Sequence, residues 1–471
     1  MKRPHYRLTA WQNWTNDPNG LIYAFGRYHA FYQHHPYDRH WGPMHWGHAT
    51  SPDLYRWTQQ PIALYPDENG TCFSGSAVFD SANSSGLGDG ERPLLVLMYT
   101  SHPEADADGR HYETQSLAWS QDGETFKKYA GNPVIPNNGV PDFRDPKVFW
   151  HAPSAAWVCV LAAYDRVAIY RSPNLIDWTH ASDFGPGQST IPGVWECPDL
   201  FPLELEGQTH WVLLVSIASD AAHGRGVVQY FIGDFDGHLF TRSVTTAQPR
   251  LLDQGNDLYA VQTFANTEAR ILLGWAANPG YAGDTPTTGF CGQLSAPRLL
   301  SLYRDANGRP ALAARPVPMP PDTIATTGPA TTELPATPWQ LDFTPTDPAF
   351  SLELYNHAGE YLSLMQSSTR LLTLDRSHSG DMSYSPLLEL PQFRRREVAP
   401  RTATPGHWQI TLDGPLLEIY ADDGSRVLTQ LVYPSQPYTG LRLEGLTDVN
   451  LTVFHPYTIP QAADPFLFRK S

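Results

Sequence analysis

Ser51-Pro52-Asp53-Leu54-Tyr55-Arg56-Trp57 has a near copy over a hundred residues downstream, Ser172-Pro173-Asn174-Leu175-Ile176-Asp177-Trp178. Weaker echoes are Ser120-Gln121-Asp122-Gly123-Glu124-Thr125-Phe126 and Gly233-Asp234-Phe235-Asp236-Gly237-His238-Leu239-Phe240. Each is a polar turn that follows a strand-like run and ends on an aromatic residue. A second feature recurs with it, at Asp17-Pro18, Ser74-Gly75-Ser76, Asp145-Pro146, Glu196-Cys197-Pro198 and Tyr259-Ala260-Val261-Gln262. Between these marks lie alternating or β-branched runs such as Arg27–Gln33, Leu94–Thr100, Trp157–Ala163 and Trp211–Ser216, bounded by Gly, Pro, Asn and Asp. Repeating units of about four strands are the signature of propeller blades, and five unit starts predict five blades.

The expected architecture is therefore all-β: a five-bladed β-propeller over residues 1–305, a linker or strap over 306–338, and a C-terminal β-sandwich over 339–471. The middle segment is rich in Pro, Ala and Thr, including Arg315-Pro316-Val317-Pro318-Met319-Pro320-Pro321. Short strands return at Gln340–Phe343, Phe350–Tyr355, Leu371–Asp375, Trp408–Leu412, Leu416–Tyr420 and Asn450–Phe454.

Innermost propeller strands line the central axis. If each unit opens with its innermost strand, Asp17, Asp145 and Glu196 meet at one end of the channel. Asp or Asn before Pro commonly does no more than cap a turn. Three carboxylates crowded together are costly, however, and crowding of that kind points to chemistry. Cleavage of a glycosidic bond needs two carboxyl groups, one to protonate the leaving oxygen and one to attack or to activate water. Asp17, held by Asn16 and the rigid Pro18-Asn19-Gly20 turn, suits a nucleophile. Glu196 has the reach of a proton donor, and its neighbours Trp195, Cys197 and Pro198 form an apolar setting expected to raise its pKa. Arg144 is expected to keep Asp145 ionised, as a charge and hydroxyl partner for an oxocarbenium-like sugar.

These segments resemble glycoside hydrolase family 32, the β-fructofuranosidases. The resemblance rests on Trp14-Thr15-Asn16-Asp17-Pro18-Asn19-Gly20, Phe31-Tyr32-Gln33, Trp46-Gly47-His48-Ala49-Thr50-Ser51, Phe73-Ser74-Gly75-Ser76, Phe143-Arg144-Asp145-Pro146 and Trp195-Glu196-Cys197-Pro198-Asp199. It continues through Asp257-Leu258-Tyr259, Gly274-Trp275, Ala296-Pro297-Arg298, Leu374-Asp375-Arg376-Ser377 and Glu418-Ile419-Tyr420, and so covers nearly the whole chain. It implies a retaining double displacement on a terminal β-D-fructofuranosyl unit, without a cofactor. Asp17 would be the nucleophile, Glu196 the acid/base and Asp145 the transition-state stabiliser. Asn16, Gln33, Trp41, Phe73, Ser74, Arg144, Tyr259 and Trp275 would form the fructose pocket. Thr15 stands where the family usually has Met, and Asn278-Pro279-Gly280-Tyr281 lacks an aromatic often found after the Asn.

Composition agrees with a small sugar, sucrose or a short fructan, as partner. Aromatics are 12% of the chain and charged residues 17%, and the net charge is −16. That acidity argues against nucleic acid and anionic membranes. Cys72, Cys159, Cys197 and Cys291 show no CxxC spacing, so neither a zinc site nor a disulfide framework is expected. Cys197, beside Glu196, is expected to line the pocket. His34-His35, and His45 with His48, are read as non-metal histidines. Met1-Lys2-Arg3-Pro4-His5-Tyr6 lacks the apolar core of a signal peptide, which favours a cytoplasmic chain, with a secreted mature form as the alternative. The rival functions are a fructosyltransferase, a fructan exohydrolase or levanase, a phosphosucrose hydrolase, and a silent fructan-binding module.

Overall fold

The repeated segments are one turn used four times. Asp53 Oδ1 accepts the backbone N–H of Tyr55 at 3.0 Å and of Arg56 at 2.8 Å. Asp122 does the same for Glu124 and Thr125, Asn174 for Ile176 and Asp177, and Asp236 for His238 and Leu239. The residue after each capping side chain is left-handed: Leu54, Gly123, Leu175 and Gly237 have φ of 73°, 74°, 68° and 94°. Glycine takes that conformation freely, whereas each leucine bears about 1–2 kcal/mol that the side-chain hydrogen bonds must offset. The turn joins the third strand of a blade to its fourth, and the aromatic that ends it packs back against the blade.

The computed structural model describes residues 3–460 except 247 and 337. The first blade comprises Asn13–Ala24, Arg27–His35, His45–Ser51 and Thr58–Leu64. The second comprises Thr71–Asp80, Leu94–His102, Thr114–Ser120 and Lys127–Lys128, and the third Phe143–His151, Ala156–Ala163, Val167–Ser172 and Thr179–Phe184. The fourth holds Val194–Leu205, Gln208–Ala218, Gly226–Phe235 and Phe240–Arg242. The fifth holds Tyr259–Thr263, Ile271–Trp275, Arg298–Arg304 and Pro310–Pro316. Within every blade successive strands pair antiparallel. The first strands of successive blades lie against one another, and the fifth returns to the first. The ring is closed by Phe290–Cys291, which pairs parallel with Asn13 and Trp14. Each unit start read from the sequence thus lies on an innermost strand. Apolar faces fill the spaces between blades; Val158, Val160 and Ile169 meet Leu213, Val215 and Phe231 between the third and fourth.

The C-terminal domain is a β-sandwich. A six-stranded sheet of Ile324–Pro329, Asn450–Phe454, Trp339–Phe343, Trp408–Asp413, Leu416–Ala421 and Arg426–Leu431 faces a five-stranded one of Arg395–Val398, Leu372–His378, Tyr361–Gln366, Phe350–Tyr355 and Gly440–Glu444. Alternate residues from both sheets, among them Trp339, Leu341, Phe350, Leu352, Leu364 and Trp408, form its core.

The expected linker over 306–338 is different in the structure. Pro310–Pro316 is the outer strand of the fifth blade and Ile324–Pro329 an edge strand of the sandwich, so the propeller runs past 305 and the connection narrows to residues 317–323. Both strands lie at sheet edges, where proline is tolerated because one row of N–H groups needs no partner. Residues 461–471 of the expected sandwich lie outside the described residues.

Candidate active site

Each innermost strand carries a bulge where its unit start falls. The register slips between Thr15 and Pro18, between Phe73 and Gly75, opposite Val160 and Ala162, between Glu196 and Asp199, and between Tyr259 and Gln262. Asp17, Ser74 and Asp145 sit inside their bulges, and Glu196 and Tyr259 at the entry of theirs. A bulge sets two residues opposite one and re-aims the extra side chain. Asp145, Cys197 and Ala260 are left-handed within three of them, with φ of 66°, 47° and 49°. Strain of this kind gathers at functional sites. The prolines after Asp17, Asp145 and Cys197 suit positions where the ladder has no use for an N–H.

The bulges aim their side chains into a cavity of about 910 Å³ at one end of the propeller axis. Asp17, Asp145, Glu196, Asn16, Gln33, Trp41, Phe73, Ser74, Arg144, Tyr259 and Trp275, every site residue read from the sequence, line it. Trp41 stands at the open rim, 58% exposed. Below the carboxylates the axis is plugged by Lys147, which pairs with Asp199 at 3.0 Å, while Asp199 accepts the Thr263 N–H at 2.6 Å.

Asp17 is held from three sides. Its Oδ2 accepts from Ser74 Oγ at 2.7 Å and from the Cys197 thiol at 3.5 Å, and its Oδ1 accepts from Asn16 Nδ2 at 3.0 Å. Asn16 is itself fixed by the Trp14 indole N–H at 2.7 Å. Burial raises the Asp17 pKa, and these hydrogen bonds oppose the rise. Asp145 Oδ2 accepts the Cys197 N–H at 2.9 Å and lies 3.6 Å from its sulfur. Its own N–H donates to Thr100 Oγ1 at 2.9 Å. Cys197 therefore lies between the two aspartates, buried beneath the cavity and touching both, instead of lining it as expected.

Two electrostatic expectations change. Arg144 does not pair with Asp145: its guanidinium reaches Glu196 Oε1 at 2.9 Å, Asp142 at 2.6 Å and Glu113 at 3.3 Å. Burial pushes the Asp145 carboxyl up to about 7, and the more distant Arg144 charge only moderates the rise. Glu196 does not lie in the apolar setting expected of it. Trp195 turns into the core between the third and fourth blades, and the carboxylate meets Arg144 on one oxygen and the Tyr259 hydroxyl on the other.

Sequence reading missed His102, Arg110, His111, Tyr112 and Glu113, which form one wall of the cavity, and Asp142 and Pro279. His102 ends the second strand of the second blade, and the next four lie on the excursion that follows it, whose length and mixture of charged and aromatic residues were the only signal. Among the described residues no group of three or more His, Cys, Asp or Glu is placed to hold a metal ion. His48 instead contacts His29, ring nitrogen to ring nitrogen, at 3.1 Å.

Two family models match the chain, the glycosyl hydrolases family 32 N-terminal domain over residues 7–316 and the family 32 C-terminal domain over 324–455. A levanase of Bacillus subtilis is 39% identical across 99% of this chain and 72% of its own length. An extracellular exo-inulinase of Aspergillus niger is 34% identical across 94% of this chain and 91% of its own. The crystal structure of an exo-inulinase from Aspergillus awamori superposes with a TM-score of 0.85 at 30% identity, covering 96% of this chain and 98% of that one.

Proposed function

The chain belongs to glycosyl hydrolases family 32, the β-fructofuranosidases, and from that premise we propose that it removes terminal β-D-fructofuranosyl units by double displacement at Asp17, Glu196 and Asp145. The observation that carries the reading is the convergence of carboxylates from three blades on one pocket, with Cys197 in contact with two of them. In the first step the Asp17 carboxylate attacks the anomeric carbon as the bond to the leaving oxygen breaks, and that oxygen takes the proton of Glu196. In the second, Glu196 removes a proton from water, the water oxygen bonds to the anomeric carbon, and the ester to Asp17 breaks. Arg144 holds one oxygen of Glu196 and Tyr259 the other, which fixes the carboxyl group where the leaving oxygen and then the water must meet it. Asp145, fixed by the Cys197 N–H, binds sugar hydroxyls and in its ionised form opposes the positive charge that develops on the ring. The Trp275 indole N–H is buried without a partner among the described residues and faces the same pocket, a donor suited to a ligand oxygen.

Sucrose and fructans present the same terminal unit. Fructans gain weight because relatives matched along nearly the whole chain are named levanase and exo-inulinase. The test is a sugar-resolved product assay on sucrose, inulin and levan, at low and high substrate, with Asp17→Ala as control. Equimolar glucose and fructose from sucrose, or fructose alone from the polymers, absent in the variant, is the expected result. Excess glucose with new oligosaccharides would make the enzyme a transferase. No turnover on any fructoside, or near-normal rates in Asp17→Ala, would overturn the reading.

A further inference from the structure

Three rings are stacked up one wall of the cavity. Phe73 and His102 lie parallel at 4.0 Å with 6° between their planes, and His102 and His111 follow at 4.3 Å and 24°. The stack begins beside Ser74, which holds Asp17, and ends on the exposed excursion of the second blade. All three rings line the cavity, and His102, with a ring stacked on each face, can present only its edge to it. The lower end is tied to the acid/base. Glu113, buried, lies with Oε1 3.4 Å from His102 Nδ1 and 3.3 Å from Arg144 Nη1, while Oε2 accepts the Phe143 N–H at 3.2 Å. Arg144 in turn holds Glu196. The His111 Nδ1 is used by the Pro103 carbonyl at 2.9 Å. Among the described residues no protein hydrogen bond takes the Nε2 of either histidine.

We propose that His102 and His111 are specificity-determining residues of this chain, their ring edges hydrogen-bonding the hydroxyls of the sugar that leaves. This assignment rests on the proposed function and on which bond breaks. The leaving oxygen is protonated by Glu196, so the sugar attached to it lies outward of Glu196. The wall reached outward from Glu196, through Arg144 and Glu113, is this stack. Imidazole edges suit the task because each free ring nitrogen donates to or accepts from a hydroxyl, which a phenyl edge cannot do. Stacking and the Glu113 contact hold the rings in place before the sugar arrives, which lowers the ordering cost of binding. Arg110 and Tyr112, on the same excursion, extend the polar wall.

The experiment compares donors that share the fructosyl group and differ in what leaves: methyl β-D-fructofuranoside, sucrose and an inulin-type trisaccharide. In His111→Ala the ratio of kcat/KM for the sugar-leaving donors to that for the methyl donor should fall about ten-fold, the size of one lost hydrogen bond. His111→Phe keeps the stack but not the edge nitrogen, and should lose the ratio equally. An unchanged ratio in His111→Ala, or a wild-type ratio in His111→Phe, overturns the proposal. A wild-type enzyme that hydrolyses none of the three donors overturns the site reading, and the proposal with it.

Discussion

Two of the charge clusters buried among the described residues invite comparison, because burial ends differently for a carboxylate in each. One is the catalytic pocket, where of Asp17, Asp145 and Glu196 only Glu196 meets the guanidinium of Arg144. The other is the seam between propeller and sandwich. There Arg298 binds Asp253 at 2.9 Å, Glu418 at 3.1 Å and Thr429 at 2.6 Å, and Arg7 binds Glu418 at 2.8 Å. Arg376 joins Asp257 at 2.9 Å, and the Leu431 N–H completes that carboxylate at 2.8 Å. Burial acts to raise the Glu418 pKa, but Arg7 and Arg298 outweigh it and hold the carboxyl below its ordinary value. Asp145, as deeply buried and without a cation on its own oxygens, is pushed up to about 7. Asp257, with the single guanidinium of Arg376 on it, is still raised by burial, so it is the pair of cations on Glu418 that reverses the effect of depth there.

The largest effect expected from breaking this contrast is on rate. Asp17→Asn should lower turnover by at least about 10⁴-fold, as loss of a nucleophile does, while unfolding no more easily than wild type. The seam should behave in the reverse way. Arg298→Met leaves Asp253 and Glu418 short of counter-charge in a dry interior and should cost about 3–5 kcal/mol in chemical denaturation. Its activity per folded molecule should stay close to wild type. A stable Arg298→Met protein, or an unstable Asp17→Asn one, would show that the two clusters are not divided in this way.

Asp145→Asn sharpens the same point through pH. A folded-state pKa raised above the unfolded value means that the native state holds the proton more tightly. The stability this contributes is complete below about pH 4 and is lost as pH rises through about 7. An asparagine has no proton to lose. Thermal or urea unfolding should therefore find the variant level with wild type near pH 4 and more stable by about 2–4 kcal/mol above pH 7, the span of a three-unit shift. A gap that stays constant from pH 4 to pH 8 would mean that Asp145 is not a strained carboxylate.

How far the sequence could be read follows from the same physics. Asp17, Asp145 and Glu196 were legible because each stands one or two residues before a proline at the opening of a repeated unit, and the repeat placed the units around an axis. The bulges that aim them were not legible, since a one-residue slip in pairing leaves no mark in the alternation of side chains. Nor was the partner of Arg144. A guanidinium several bonds from its backbone reaches across blades, and adjacency to Asp145 in the chain said nothing of its contact with Glu196. The stretch 306–338 read as linker because Pro310, Pro316, Thr326, Thr327 and Pro329 belong to edge strands, whose composition resembles that of loops. Arg298, Arg376 and Glu418 fall in stretches that carried the family resemblance yet belong to the seam, so a family motif marks bracing as well as chemistry.

The smallest effect is expected where the same kinds of charge meet at the surface. Arg56 donates to Asp53 at 2.5 Å and to Asp322 at 2.6 Å, so it also spans from a blade to the connection between the domains. Its geometry matches that of Arg298, but the Arg56 side chain is 35% exposed and that of Asp322 65%. Water can solvate all three groups when the pairs are broken, and salt screens them while they are made. Arg56→Ala should therefore cost less than about 1 kcal/mol, and raising the ionic strength should shrink even that. The Asp53 turn should persist, because its carboxylate still accepts the N–H groups of residues 55 and 56. A loss as large as that of Arg298→Met, unaffected by salt, would mean that ion pairs between the domains matter by position alone, and that burial has no part in setting their weight.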